Sequence, residues 1–274
     1  MKAAGLKVGD VVILMAPNHI DLVIPYYAAL YLGVIVAAVD RTLDAQYLRN
    51  SFNINRPRMV FCQNEKVSDI QRALDGLELD TLIVTFDKGD LCSFNKFLER
   101  GMNGPSVDEF RPTDFNPEDT IGLLIATSGT TGLPKSVAVT HKSLAISGPY
   151  IWSRFHNFPT PTEIALVGSP LHWLTALINF YLSTIFRYTR LQSSMDLTQK
   201  HAYHLINTYR PTFTIFSPTA MTTLLKSDDR DQCDFTCFDI IMLGGSAVPR
   251  DLIGEIKVKH TKEISIETIH CIIS

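Results

Sequence analysis

Short apolar runs at residues 11–15, 34–39, 58–62 and 81–86 alternate with helical patterns at 17–33, 44–55 and 65–74. Strands that are apolar on both faces and separated by helices imply a parallel sheet covered by helices. The rhythm breaks over 87–119, where Gly89, Gly101, Gly104, Pro105, Pro112 and Pro117 mark a long surface connection with one amphipathic patch at 94–98. It resumes with strands at 120–126 and 136–139 and a helix at 142–152. Residues 158–163, Phe-Pro-Thr-Pro-Thr-Glu, read as a rigid polar linker. Beyond it, strands at 164–167, 212–216 and 238–243 alternate with helices at 174–184 and 196–209. Ser217-Pro218 and Pro249 each open a further helix. The expected fold class is α/β, with two tandem, helix-covered, mostly parallel sheets in residues 1–158 and 159–274.

Composition supports this and narrows the partners. Of the 274 residues 46% are hydrophobic, enough for a large buried core. Lys and Arg number 25 against 28 Asp and Glu, for a net charge of -3 without any block of like charge. No nucleic-acid partner is expected from that balance. Residues 22–39 carry no charge, but Pro25 and Gly33 interrupt them, so a helix followed by a buried strand is expected and a transmembrane segment is not. The five cysteines, Cys62, Cys92, Cys233, Cys237 and Cys271, are scattered and odd in number, which suits free thiols in a reducing compartment. Cys233 and Cys237 lack a second pair at matching spacing, so no metal site is expected from them. His201 and His204 read as a packed or solvated helix face, and Tyr26, Tyr27 and Tyr31 as core or rim.

The most informative stretch is Ala126-Thr-Ser-Gly-Thr-Thr-Gly-Leu-Pro-Lys135. Hydroxyls at Thr127, Ser128, Thr130 and Thr131 are interleaved with Gly129 and Gly132. Glycine frees the backbone to turn N–H groups toward a phosphate, and the Lys135 ammonium adds a full charge. Pro134 stands where a Walker A loop needs its second glycine, and a strand rather than a helix follows. A flexible loop between two strands that closes over a phosphate is therefore expected, against the plainer alternative of a polar hairpin turn.

The run from Thr127 to Lys135 resembles the signature loop of the adenylate-forming superfamily: acyl-CoA synthetases, 4-coumarate–CoA ligases and firefly-type luciferases. Ser136 departs from it by replacing the usual final glycine. Thr140-His141, Gly5-Leu-Lys-Val-Gly-Asp10 and Pro17-Asn18 resemble further signatures of that family. Leu243-Gly244-Gly245-Ser246-Ala247 is similar to its adenine-packing segment, and Ser169-Pro-Leu-His172-Trp173 to a segment lining its acyl pocket. The glycines that usually follow the latter are replaced by Leu174-Thr-Ala-Leu177. The resemblance implies an ATP-dependent ligation in two halves. A carboxylate and Mg·ATP give an acyl-adenylate and pyrophosphate, and coenzyme A then takes the acyl group. It implies nucleotide contacts from Thr127, Ser128, Gly129, Thr130, Thr131, Gly132, Lys135, Gly244, Gly245, Ser246 and Ala247. His172 either positions the acid and the α-phosphate or is a core histidine.

The family pattern continues with a Tyr-Gly-x-Thr-Glu run holding Mg²⁺, a ribose-binding carboxylate and a small domain with a catalytic lysine. The tail from Thr261 to His270 departs from it before the first of these. The expectation is a chain equivalent to the trimmed first half of a family member, lacking the lysine domain and inactive or impaired as a ligase. A non-catalytic truncated product or degenerate paralogue that binds nucleotide weakly, and a luciferase-like monooxygenase, are the alternatives. A cut sheet is also expected to self-associate through its exposed edges. The family implies an intracellular, cytoplasmic or peroxisomal setting; the C-terminus, Cys271-Ile-Ile-Ser274, is not a peroxisomal address.

Overall fold

The computed structural model describes residues 1–89, 91–102, 104–127, 135–153, 163–226, 229–259 and 265–269. It divides into two compact units, Met1–Ser147 with Leu171–Leu174, and Gly148–Pro170 with Thr175–Ser274. The fold class is α/β, with helix-covered and mostly parallel sheets.

In the first unit the chain runs β1 (Val11–Met15), α1 (Val23–Leu32), β2 (Ile35–Ala38), α2 (Ala45–Asn55), β3 (Met59–Cys62), α3 (Val67–Leu74) and β4 (Leu82–Thr85). There follow β5 (Cys92–Ser93), α4 (Phe94–Glu99), β6 (Ile121–Thr127), β7 (Lys135–Thr140) and α5 (His141–Trp152). Among the described residues the seven strands line up as β5-β4-β3-β1-β2-β6-β7. Every neighbouring pair is parallel except β6 and β7, which form an antiparallel hairpin. The central strands are apolar throughout because both their faces are covered. Val11, Ile13 and Met15 of β1 pack with Leu48 and Phe52 of α2 and Ile70 and Ala73 of α3. Val12 and Leu14 point the other way and are equally buried. Phe61 of β3 meets Phe94 and Phe97 of α4 edge-on, at 6.2 and 5.5 Å between ring centroids.

Capping follows the local chemistry. The Asp44 carboxylate accepts from the Tyr47 N–H at 3.0 Å and opens α2, and Ser93 opens α4 in the same way through Lys96 N–H. α1 begins later than the helical pattern suggests: a 3-10 turn at Ile20–Leu22 intervenes, and Pro25 lies in the first turn, where its missing N–H costs no hydrogen bond. Gly33 ends α1 with φ 65°, and a Cβ there would stand 2.8 Å from the Phe115 ring. The uncharged stretch 22–39 thus becomes helix and buried strand. No helix among the described residues is long and apolar enough to cross a membrane.

The second unit contains β8 (Ile164–Leu166), α6 (Leu174–Phe186), β9 (Thr189–Leu191), α7 (Gln199–Tyr209), β10 (Phe213–Phe216), α8 (Pro218–Leu225), β11 (Ile240–Gly244), α9 (Arg250–Lys259) and β12 (Ser265–Ile269). Its described strands form a parallel sheet ordered β12-β11-β10-β8-β9. Ser217 Oγ accepts from Ala220 N–H with Pro218 at the first helical position, as the Ser-Pro pair suggests. α7 starts at Gln199 rather than 196, because Thr198 is the residue whose side chain caps it, accepting from His201 N–H. β9 and β12 have no counterpart in the sequence reading. Leu166, Ile206, Met221, Leu243 and Ile256 meet in this unit's core.

The linker at 158–163 falls, except for Glu163, outside the described residues. So does Cys271, while Cys62, Cys92, Cys233 and Cys237 are free thiols. Burial pushes the Cys62 and Cys233 thiols up to about 12 and Cys237 to about 11, so all three stay protonated and unreactive at neutral pH.

Candidate functional site

Parallel α/β sheets bind ligands outside the carboxyl ends of their strands, where loops gather and helices begin. Three groups of expected site residues stand at such ends.

The first is the mouth of the hydroxyl- and glycine-rich loop. Thr127 ends β6 and Lys135 begins β7, and the two residues are paired across the hairpin. The Thr127 hydroxyl donates to the Lys135 carbonyl at 3.4 Å. Below this rung the ladder continues through Ala126 with Ser136, Ile125 with Val137 and Leu124 with Ala138. Ser136, the departure from the signature, directs its hydroxyl to the Asn55 side-chain oxygen at 3.2 Å, at the end of α2. Ser128, Gly129, Thr130, Thr131 and Gly132 lie outside the described residues, so the structure fixes both ends of the loop.

The second group is His172 in the first unit. Its Nε2 stands 3.6 Å from Asp40 Oδ2. Asp40 follows β2, and its other oxygen, Oδ1, accepts from the Thr42 N–H and hydroxyl at 2.9 Å each. Burial lowers the proton affinity of His172, and the Asp40 charge only partly offsets this, so the neutral ring is favoured. Burial pushes the Asp40 carboxyl up, but the Thr42 hydrogen bonds and the His172 and Arg41 charges outweigh it and hold it below its ordinary 3.8. Leu171 is buried beside the histidine, whereas Trp173 is exposed with its ring centroid 5.7 Å from the imidazole.

The parallel register relates the first two groups. β2 pairs with β6 through Val36 with Leu123 and Ala37 with Leu124. Asp40 and Thr127 each lie three residues beyond the last of these pairs, so both stand at the carboxyl ends of adjacent parallel strands. Asp40 escaped the sequence reading. Its one signal is Asp-Arg-Thr after an apolar strand, a pattern that lets a carboxylate bond its own backbone two residues on.

The third group lies at the carboxyl end of β11 in the second unit. Gly244 is the buried last residue of the strand, and Gly245, Ser246 and Ala247 follow as an exposed turn. Gly245 has φ 94°, a conformation for which glycine is suited; a Cβ there would meet nothing within 4 Å, so backbone geometry rather than space demands it. At the end of β8 in the same unit the Ser169 and Thr175 hydroxyls are 2.6 Å apart. A Cβ on Gly168 would lie 2.8 Å from both Leu197 and Phe216.

Among the described residues no group of three or more His, Cys, Asp or Glu side chains could hold a metal ion.

The chain was compared with known proteins. The profile of a family described as AMP-binding enzyme matches residues 1–267. Luciferin 4-monooxygenase of Photuris pensylvanica is 28% identical over 95% of this chain and 49% of its own length. The 4-coumarate–CoA ligase 4 of Arabidopsis thaliana is 24% identical over 95% of this chain and 46% of its own. The chain thus spans about half the length of the curated relatives it matches. Among solved structures, the luciferase-like enzyme of the nonluminescent mealworm Zophobas morio superposes with a TM-score of 0.84 and 21% identity, over 98% of this chain and 61% of that one.

Proposed function

This chain belongs to the AMP-binding enzyme family over residues 1–267, and from that premise we propose that it carries the nucleotide-binding half of an ATP-dependent carboxylic acid–CoA ligase. The observation that carries the reading is the β6–β7 hairpin, whose Thr127–Lys135 rung brackets a hydroxyl- and glycine-rich segment at the carboxyl end of a parallel-sheet strand. The likeness to a 4-coumarate–CoA ligase supports an acid as the substrate class.

In the proposed reaction a carboxylate oxygen attacks the α-phosphorus of ATP. The bond from that phosphorus to the bridging oxygen breaks, and pyrophosphate leaves with the electron pair. Donors from Thr127, Ser128, Gly129, Thr130, Thr131 and Gly132, with the Lys135 ammonium, stabilise the charge that collects on the departing group. Gly244, Gly245, Ser246 and Ala247 offer backbone to the adenine, and the φ of Gly245 keeps that turn open. His172 lies beside the α-phosphate and the acid. In the second half the coenzyme A sulfur attacks the acyl carbonyl carbon, AMP leaves, and the thiol proton passes to solvent.

The likeness to luciferin 4-monooxygenase favours a second reading, which shares the adenylation half; molecular oxygen then oxidises the acyl part of the adenylate and AMP leaves. ATP–pyrophosphate exchange over a panel of fatty and aromatic acids, run beside ATP-binding calorimetry and light emission with luciferin, separates the readings. Acid-dependent exchange without light supports the ligase. Light supports the second reading. ATP binding without exchange for any acid leaves a nucleotide-binding protein, and absence of ATP binding overturns all three.

A further inference from the structure

We propose that Asp40 is a positioning residue for His172, holding its imidazole with Nε2–H toward the carboxylate and leaving Nδ1 for the anionic oxygens of an acyl-adenylate. This rests on the adenylation reading above and adds to it a residue that the signature motifs do not contain.

The carboxylate is itself held. Oδ1 takes both the N–H and the hydroxyl of Thr42, which fixes the side chain and leaves Oδ2 to face the histidine. An ionised carboxylate only accepts hydrogen bonds, so with Oδ2 at 3.6 Å its charge favours the tautomer with the proton on Nε2 and the lone pair on Nδ1. The Asp40 charge also favours a second proton on the ring, against burial, which opposes it. An anion arriving at Nδ1 adds to Asp40's influence and draws a proton onto that nitrogen from solvent. The resulting imidazolium donates to the anion through Nδ1 and to Asp40 through Nε2. Among the described residues, Asp40 is the charged group acting on His172, and Arg41 in turn acts on Asp40. The placement suits this role: Asp40 and the loop mouth follow the carboxyl ends of adjacent parallel strands.

The test is ring-nitrogen NMR of His172 across pH in the unaltered chain, Asp40→Asn and Asp40→Glu, with titrations of ATP and of a non-reactive benzoyl or lauroyl sulfamoyl-adenosine. Expected are an Nε2–H tautomer in the unaltered chain, a lower titration midpoint in Asp40→Asn, and recovery toward the original midpoint in Asp40→Glu. Asp40→Asn also weakens the acyl-sulfamate by about tenfold, as loss of a ring-orienting carboxylate commonly does, and ATP, which lacks the acyl group, by clearly less, while the melting temperature holds. An unchanged midpoint and tautomer in Asp40→Asn overturns the proposal whatever binds. Equal loss of ATP and analogue affinity reduces Asp40 to a structural residue and overturns it too. If the unaltered chain binds neither nucleotide nor analogue, the adenylation reading fails and takes the ligand-facing part with it. The ring titration then decides on its own whether Asp40 holds the imidazole.

Discussion

Thr127 and Lys135 are partners in one antiparallel rung, with the Thr127 hydroxyl on the Lys135 carbonyl at 3.4 Å. The rung sets the two ends of the hydroxyl- and glycine-rich segment and holds the Thr127 side chain against the Lys135 backbone. Lys135→Ala removes a charge that the proposed function places against the nucleotide's phosphates, at an exposed position where packing is little affected. ATP affinity is expected to fall by about tenfold, since contacts to charged groups contribute about 1.5–3 kcal/mol. Calorimetry at fixed ionic strength checks this, with the melting temperature unchanged within about a degree.

Gly148 tests packing against helix propensity. Alanine is the better helix former by about 1 kcal/mol, yet a Cβ at 148 would run into Leu182 and lie 2.6 Å from the Tyr181 hydroxyl. Both neighbours are buried and have little room to move aside. Overpacking costs about 1–3 kcal/mol, so Gly148→Ala is expected to destabilise. A higher denaturation midpoint in urea would contradict this.

Gly33 combines two demands. Its φ of 65° disfavours any side chain, and the Phe115 ring stands 2.8 Å from where a Cβ would be. Left-handed strain alone costs about 1–2 kcal/mol. Gly33→Ala is expected to lower stability by at least that much, and Gly33→Ala with Phe115→Leu to recover the steric part but not the strain. A double-mutant cycle by chemical denaturation separates the two.

His141 supplies a pH dependence. Burial lowers its proton affinity from the ordinary 6.5, and among the described residues its buried Nε2 has no hydrogen-bond partner. The folded chain therefore favours the neutral ring, and the unfolded chain binds the proton more readily. This contribution is complete above the unfolded value and declines as pH falls below it toward the lower folded value. His19 and His172 shift in the same direction, so the midpoint of urea unfolding should fall as pH drops from about 7 to 5. His141→Gln is expected to make that decline shallower.

The outer side of β7 bears on association. Among the described strands β7 is terminal in its sheet, and Lys135, Ser136 and Ala138 are exposed along it. An unpaired edge is a template for another strand. Light scattering is expected to show concentration-dependent association that Ala138→Lys reduces. A monodisperse monomer at every concentration would contradict this.

Much of the fold is legible because burial on both faces writes itself into composition. The strands at 11–15, 35–38 and 59–62 are apolar throughout for that reason, and the caps Asp44 and Ser217 announce their helices by side-chain chemistry. Where the signal is local, it can be read. β5 and β9 are two and three residues long, too short for any periodicity, and β12 is recognised by its pairing with β11. The site divides along the same line. Thr127 and Lys135 belong to one contiguous motif. The Asp40–His172 contact joins segments far apart in the chain, and no pattern in either segment names the other.

The hairpin ladder has one further consequence. Because Lys135–Thr140 pairs with Ile121–Thr127 up to its final rung, the separation and direction of the loop's two ends are set by the sheet and not by residues 128–134. The strand register therefore rests on contacts outside that stretch, and substitutions between Thr127 and Lys135 are expected to leave the β6–β7 pairing in place.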